Sequence, residues 1–250
     1  MLAGGVTTLA FTAILRVRAV VGAAGEGAMA DRTLLAVGLF SMVVAGLFLL
    51  GTRDFKRMLA YSSVEHMGVL SVGAALGPAG VVAALFHVWT NGITKGALFL
   101  SAGNIRRAAG SASMDAVRGM LDRTPRSAAM FVIGLFAVTA MPPFGVFLSE
   151  LQVIRAMGGE GRWVTMGLFL GSLLMAFVGM TRVVFGIVDG PTRVAAKGGS
   201  ERFRESLGVV LPPLILLILS LGLGVWTPSM LHESWLRAVS ELFPEVGGTR

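Results

Sequence analysis

Three polar side chains recur at every fourth position within an otherwise apolar stretch. They are His87, Asn91 and Lys95, in the sequence FHVWTNGITKG at residues 86–96. At 3.6 residues per turn, this spacing places the three side chains on one face of a helix. An imidazole and an amine can bind and release protons, and a carboxamide between them can hold a bridging water. The stripe predicts a proton relay; the structural alternative is that Lys95 reaches toward a membrane interface while His87 bonds a neighbouring helix.

A pair of prolines interrupts a second apolar stretch, in the sequence AMPPFG at residues 140–145. Pro142 and Pro143 remove two backbone donors, and the carbonyls that they free need side chains, water or another helix as partners. We therefore expect a broken helix that includes Gly145, and broken helices are a recurring ion-binding device of transport proteins. Glu150 is the expected carboxylate of this site; the alternative is an interfacial glutamate just beyond the helix end.

An acid and an imidazole are neighbours in a third stretch, RDFKRMLAYSSVEHMG at residues 53–68. Glu65 and His66 lie about two helical turns inside its apolar part, where an adjacent acid and imidazole can share or exchange a proton. Lys56 stands at the start of the same stretch. It is either a proton carrier at the mouth of the helix or a residue of a solvated loop.

The composition places these groups in a membrane. Hydrophobic residues make up 54% of the 250 residues, charged residues only 14%, and the mean hydropathy is +0.78, far from the average of soluble proteins. The apolar residues come in runs of about 18 to 25, the length that crosses a hydrocarbon layer of roughly 30 Å. We predict an all-α, polytopic transmembrane bundle of about seven helices, at residues 2–21, 34–51, 58–76, 79–103, 128–154, 163–188 and 207–226.

The basic residues indicate an orientation. Twelve of them lie in three loops that seven spans place on one side: Arg53, Lys56, Arg57, Arg106, Arg107, Arg118, Arg123, Arg126, Arg193, Lys197, Arg202 and Arg204. The positive-inside rule predicts that this side, together with the N-terminus, faces the cytoplasm. Arg182, in the sixth span, is expected to reach the same interface, with an ion pair to Glu150 as the alternative.

The end of the chain differs from the predicted transmembrane domain of residues 1–228. In the tail at 229–250, apolar residues recur at helical spacing: Leu231, Trp235, Val239, Leu242 and Phe243. This pattern is typical of an amphipathic helix that lies on the membrane or on a neighbouring subunit, and a frayed surface helix is the alternative.

The residue types exclude several kinds of site. Cysteine is absent, so the chain offers no thiolate zinc site and no iron–sulfur cluster ligands. We predict no cofactor and no metal site, and we expect redox chemistry to belong to partner subunits. The net charge of +7 arises from short loops without a basic helix, which argues against nucleic-acid binding.

Three motifs together resemble a known family. Residues 54–68, residues 86–101 (FHVWTNGITKGALFLS) and residues 142–150 (PPFGVFLSE) are similar to the antiporter-like membrane subunits of respiratory complex I, membrane-bound hydrogenases and multisubunit cation/proton antiporters. The motifs SSVEHMG and PPFGVFLSE look closest to those of the hydrogenase-4 type subunits, and the similarity extends over about residues 1–190. The family implies two inverted five-helix repeats, each with a broken helix, and buried Lys, His and Glu residues along the membrane midplane.

The resemblance assigns this chain to one half of such a subunit. Full-length relatives begin with further helices, so the chain resembles the C-terminal half, with the second repeat at about residues 34–188. By that match Lys56, His87, Lys95 and Glu150 belong to the proton axis. Asn91 stands where the family commonly has a second histidine, so we expect water to carry the proton there.

The resemblance implies proton translocation coupled to electron transfer in partner subunits of a hydrogenase or NADH dehydrogenase-like complex, with no active site in this chain. The alternatives are a non-conducting membrane scaffold for such a complex and a subunit of an Na+/H+ antiporter. The expected partners are other membrane subunits, together with a separate N-terminal half if the gene is split. The expected location is a bacterial or archaeal cytoplasmic membrane.

Overall fold

The structure is a computed structural model that describes residues 2–191 and 203–243, with side chains from residue 5 onward. These residues form ten helices: α1 Leu2–Ala23, α2 Gly27–Gly51, α3 Phe55–Ala74, α4 Gly77–Ala109, α5 Met120–Arg123, α6 Pro125–Val138, α7 Gly145–Gly159, α8 Trp163–Val188, α9 Leu207–Val225 and α10 Ser229–Leu242. The predicted all-α class is confirmed, but the count of seven is wrong. One predicted span forms two helices, a short helix lies between spans, and the tail is helical. Arg193, Lys197 and Arg202, which were used to predict the orientation, lie outside the described residues.

The described bundle is apolar on the outside and polar inside. Four helices, α1, α2, α8 and α9, are long and apolar enough to cross a membrane. Large apolar side chains such as Val164, Leu207 and Trp226 point outward from them. The more polar helices α3 and α4 instead bury four ionisable side chains, Glu65, His66, His87 and Lys95. This distribution is typical of a protein surrounded by lipid, because exposing so much apolar surface to water would be unfavourable.

Helix α4 is at the centre of the bundle. It packs against α3, α6, α7 and α9, while α2 packs on α3 and α8. Helix α3, which brings the second set of polar groups to α4, begins where Asp54 accepts hydrogen bonds from the backbone N–H groups of Lys56 and Arg57, at 2.8 and 3.0 Å. The carboxylate thereby satisfies two N–H groups that have no partner within the helix.

Three loops meet on one side of the bundle. The N–H of Phe55 donates to the carbonyl of Ala112, and the N–H of Met114 donates to that of Arg53. The N–H of Gly119 donates to Asp189, which joins the loop after α8 to the same group. These contacts hold the start of α3, the loop after α4 and the end of α8 together, on the one side that the sequence predicts for them.

The predicted break is confirmed. Helix α6 ends at Val138 and α7 begins at Gly145, so the proline pair lies in the connection between two half-helices. Ala140 has a φ of +55°, in the left-handed region that non-glycine residues rarely adopt. The chain therefore turns sharply at the break instead of continuing along the axis of α6.

The tail helix packs on its own chain. Trp235 lies 5.2 Å from the ring of Phe86 on α4, and the guanidinium of Arg18 on α1 stacks 4.3 Å from the ring of Phe243. Val239 is buried in the same cluster. The helical spacing is confirmed, and the apolar face covers α1 and α4 of the same chain; contact of the tail with a membrane surface or a neighbouring subunit stays a prediction. Residues 244–250 of the predicted tail lie outside the described residues.

Candidate functional site

Two buried imidazoles face each other where α3 crosses α4. Nδ1 of His66 lies 3.1 Å from Nε2 of His87, with the ring centroids 5.1 Å apart. We call His66 and His87 the histidine pair. The spacing within each helix cannot produce this contact; it requires the close packing of α3 against α4. An N···N distance of 3.1 Å requires one proton between the rings.

A serine from the second half-helix orients the histidine pair. Oγ of Ser149 on α7 lies 2.9 Å from Nδ1 of His87 and donates its own hydrogen to the carbonyl of Val146 at 2.8 Å. Because that hydrogen is used, Oγ accepts from Nδ1–H of His87. Nε2 of His87 is then the acceptor, and Nδ1–H of His66 is the donor.

Two carboxylates flank the histidine pair. Oε2 of Glu65 lies 3.4 Å from Nε2 of His66, and Oε1 of Glu150 lies 4.0 Å from Nδ1 of the same ring. Since Nδ1 of His66 carries a proton, Nε2 and Glu65 share a further proton that is bound to one or the other. Oε1 of each glutamate is buried without a hydrogen-bond partner among the described atoms. We call Glu65, His66, His87, Ser149 and Glu150 the polar core.

The predicted stripe on α4 is buried as a face. His87, Asn91 and Lys95 are each at most 5% exposed. Thr94 lies on the same side of the helix, and its hydroxyl oxygen is 2.6 Å from Oγ of Ser220 on α9. A cavity of about 10 Å³ borders Asn91 and Lys95, close to the volume that holds one water molecule. One water molecule can therefore bridge Asn91 and Lys95.

Lys56 does not join the polar core. It is exposed in the first turn of α3, and nine residues separate it from Glu65, which is about 13 Å along a helix. Lys56 lies outside the polar core because the first turn of α3 belongs to the loop side of the bundle, and its role as a proton carrier at the mouth of the helix stays a prediction. The solvated alternative agrees with its position.

Arg182 does not pair with Glu150. Its guanidinium is exposed and its Nη1 donates to the backbone carbonyl of Leu50 at 3.3 Å. Among the ion pairs of the described residues, none joins Arg182 to a carboxylate. The position agrees with the interfacial role predicted for Arg182, at the loop end of α8.

Sequence reasoning missed the hydroxyls of the site. Thr90 and Thr94 share the α4 face with His87, and that spacing was visible in the sequence. Ser149 stands next to Glu150 in the motif, but a residue beside a carboxylate on a helix points in another direction. Its contact with His87 arises only because Gly145 lets α7 approach α4; a Cβ at Gly145 would meet Cγ2 of Thr90 at 2.6 Å.

Comparisons with known proteins show the family of the chain. Residues 1–176 match the family described as NADH:quinone oxidoreductase/Mrp antiporter, transmembrane. The chain is 30% identical to the hydrogenase-4 component F homolog of Methylacidiphilum infernorum over 249 residues, which is 97% of this chain and 49% of the relative.

Solved structures share the fold. A chain of the Mrp complex of Dietzia sp. matches with a TM-score of 0.79 at 23% identity, over 94% of this chain and 51% of that chain. A chain of the membrane-bound sulfane sulfur reductase, an archaeal respiratory membrane complex, matches with a TM-score of 0.78 at 26% identity, over 93% and 46%. The chain thus spans about half the length of the relatives that it matches. Because the family match covers more than half of the sequence, the chain belongs to the NADH:quinone oxidoreductase/Mrp antiporter transmembrane family.

Proposed function

We propose that this chain conducts protons through the polar core, as one half of an antiporter-like membrane subunit. The observation that carries the proposal is the continuous line of hydrogen-bonding groups from Glu65 through the histidine pair to Ser149. Such groups are costly inside a membrane protein, so their clustering at one crossing of helices indicates a pathway for charge.

The proton positions allow a concerted transfer. Glu65 gives a proton to Nε2 of His66 while Nδ1 of His66 gives one to Nε2 of His87. His66 is then neutral with its proton on Nε2, and His87, which now carries a proton on both nitrogens, releases one of them. Glu150 is the nearest further acceptor, since its free Oε1 lies 4.0 Å from His66. One bridging water, or a small shift of the carboxylate, closes that distance.

One cavity borders the polar core, and a second one borders Lys95. One of about 260 Å³ lies between the break and α8 and is bordered by Ala140, Glu150 and Phe177. Another of about 880 Å³ lies between α1, α4 and α9 and is bordered by Lys95 and Leu216. We propose that the first connects Glu150 with one exit, and that the second is the place where Lys95 exchanges protons with the adjoining half of the subunit.

The proposed partners follow from the length of the chain and from its relatives. Because it spans about half of each relative, we propose that a further set of helices completes the subunit, either in the same protein or as a separate polypeptide. We propose that redox subunits of a hydrogenase or NADH dehydrogenase-like complex drive the proton movement. We also propose a cytoplasmic-membrane location with the N-terminus in the cytoplasm.

Proton movement in inverted membrane vesicles tests the function. With the native complex in the vesicles and its electron donor added, His87→Ala and Glu150→Gln are expected to lower proton uptake, followed with a ΔpH-sensitive dye, at least about tenfold. The rate of electron transfer, measured after an uncoupler has collapsed the proton gradient, reports how much of the complex has assembled. The matched control is His232→Ala, on the exposed face of α10.

The result distinguishes conduction from a scaffold. If both variants assemble and pump at the rate of the unmodified complex, the chain holds the complex together without conducting. If uptake falls only when sodium is removed, and is unaffected by the substitutions, the ion and the pathway in this proposal are both wrong.

A further inference from the structure

The polar core contains a set of atoms that is typical of metal ligands. One ligand atom from each of His66, His87 and Glu150 lies within 4.8 Å of the other two. Nδ1 of His66 is 3.1 Å from Nε2 of His87 and 4.0 Å from Oε1 of Glu150. All three residues are buried, with at most 2% of their surface exposed. We propose that these three residues bind a divalent transition-metal ion of the Zn2+ class, a site that goes beyond the proposed proton conduction.

The contacts around the set orient its ligand atoms. Metal-binding histidines usually donate their second N–H to a carboxylate or another acceptor, which fixes the tautomer and the direction of the ring. Both members of the histidine pair have such a neighbour: Nδ1 of His87 donates to Ser149 at 2.9 Å, and Nε2 of His66 lies 3.4 Å from the carboxylate of Glu65. The two remaining nitrogens then point at each other and at Glu150.

Glu150 supplies an independent indication. Its Oε1 is buried and has no hydrogen-bond partner among the described atoms, although a buried carboxylate oxygen without a partner is unfavourable. This oxygen lies 4.0 Å from Nδ1 of His66, on the side of the ring that faces His87. A cation bound between the three atoms would be the missing partner.

The distances are close to those of a tetrahedral site. Metal–ligand bonds of about 2.0–2.1 Å at tetrahedral angles place neighbouring ligand atoms about 3.3 Å apart. The two nitrogens are 3.1 Å apart, and the nitrogen–oxygen distance of 4.0 Å shortens to this value if the Glu150 carboxylate moves by less than about 1 Å. A water molecule, or the second oxygen of Glu150, can take the fourth position.

The ligand types select the metal. Two imidazole nitrogens and one carboxylate oxygen suit Zn2+ and its neighbours in the first transition series, whereas Na+ and Mg2+ prefer oxygen ligands. Charge also balances, because ionised Glu65 and Glu150 together carry two negative charges beside a divalent cation. Binding displaces the proton that lies between the two imidazoles, and that proton leaves to bulk water.

Metal binding and proton conduction would exclude each other. The ion takes Nδ1 of His66 and Nε2 of His87, the two atoms between which the proposed proton transfer occurs. Zn2+ should therefore inhibit proton movement, and this consequence rests on the proposed function. The binding itself does not, so the two are tested by separate measurements.

The first measurement is Zn2+ binding to the full chain, purified in detergent with the subunits that accompany it. Competition with a chromogenic chelator is expected to show one tight site per chain, lost in His87→Ala and in Glu150→Gln. His232→Ala with Glu233→Gln, both exposed on α10, is the matched control and should bind as the unmodified chain does. X-ray absorption of the bound zinc should show two imidazoles and an oxygen ligand.

A milder variant avoids loss of folding. Ser149→Ala keeps all three ligands but removes the acceptor that orients His87, and it is expected to weaken Zn2+ binding about 10- to 100-fold. The proposal is wrong if the unmodified chain binds no stoichiometric Zn2+, or if the three variants bind it as tightly as the control. Stoichiometric binding without inhibition of proton uptake would uphold the site and contradict the proposed route of the proton.

Discussion

At the scale of single residues, proton direction in the polar core depends on one hydroxyl. Ser149 uses its hydrogen for the carbonyl of Val146, so it can only accept from His87. That single assignment determines which nitrogen of each ring is protonated. The orientation of the relay therefore comes from a residue that neither binds nor releases a proton itself.

Ser149→Ala is expected to lower both stability and proton transfer. Nδ1–H of His87 would remain buried without an acceptor, which costs about 1–3 kcal/mol in the free energy of unfolding. Chemical unfolding in detergent measures this cost, with Ser71→Ala as the control because the Ser71 hydroxyl bonds only the preceding turn of its own helix. Equal stability of Ser149→Ala and Ser71→Ala would contradict the assigned hydrogen bond.

Glu65→Gln separates hydrogen bonding from proton release. A glutamine amide at this position can still donate to Nε2 of His66, so unfolding should change by less than about 1 kcal/mol. The amide cannot give up its proton, however, and proton uptake in vesicles should fall at least about tenfold. Glu233→Gln, on the exposed face of α10, is the control. Undiminished uptake would remove Glu65 from the pathway.

At the scale of elements, α4 and the two half-helices form the site by close approach. The break lets α7 start beside α4 at an angle that a continuous helix would not allow. Gly145, the first residue of α7, contacts Thr90, and a Cβ at Gly224 of α9 would overlap the carbonyl of Pro143. Small residues at these contacts allow backbones to approach within a membrane bundle. The prolines interrupt the helix, and the glycines let its second half reach the polar core.

Gly145→Ala is expected to push α7 away from α4. The new Cβ would lie 2.6 Å from Cγ2 of Thr90, and overpacking of this kind costs about 1–3 kcal/mol in the free energy of unfolding. The displacement should also separate Ser149 from His87 and so slow proton uptake. Gly167→Ala is the matched control, because a Cβ there has no neighbour within 4 Å. A variant as stable and as active as this control would refute the close approach.

At the scale of the whole molecule, the loops between the long helices lie in two groups, one at each end of the bundle. The loops after α2, α4 and α8 are joined by backbone hydrogen bonds on one side, and Arg53 pairs with Asp115 there. The turns after α1, α3 and α7 lie at the other ends of the same helices. The excess of basic residues in the first group is the basis of the proposed orientation.

Cysteine labelling tests that orientation, because the chain has no cysteine of its own. Ser113→Cys and Glu160→Cys introduce single thiols into opposite groups of loops. In intact cells a membrane-impermeant maleimide is expected to label position 160 and to leave position 113 unmodified, and in inverted vesicles the pattern should reverse. Labelling of both positions from one side would contradict the described fold, and the opposite pattern would invert the proposed topology.

The sequence by itself determined the class of the protein and the candidates for its chemistry. The hydrophobic composition and the length of the apolar runs indicate that the chain lies in a membrane. The spacing of four residues between His87, Asn91 and Lys95 places these side chains on one face of a helix. The proline pair predicts the break for an equally local reason. Each of these inferences depends only on neighbours within about two turns of the chain.

The tertiary structure decided which candidates meet. Packing of α3 on α4 brings His66 to His87, and the approach of α7 adds Ser149 and Glu150, whereas Lys56 stays at the exposed start of α3. The tail helix covers α1 and α4, which its amphipathic pattern could not specify. Helical periodicity determines the face on which a residue lies, but the crossing of two helices depends on side-chain fit between segments far apart in the sequence.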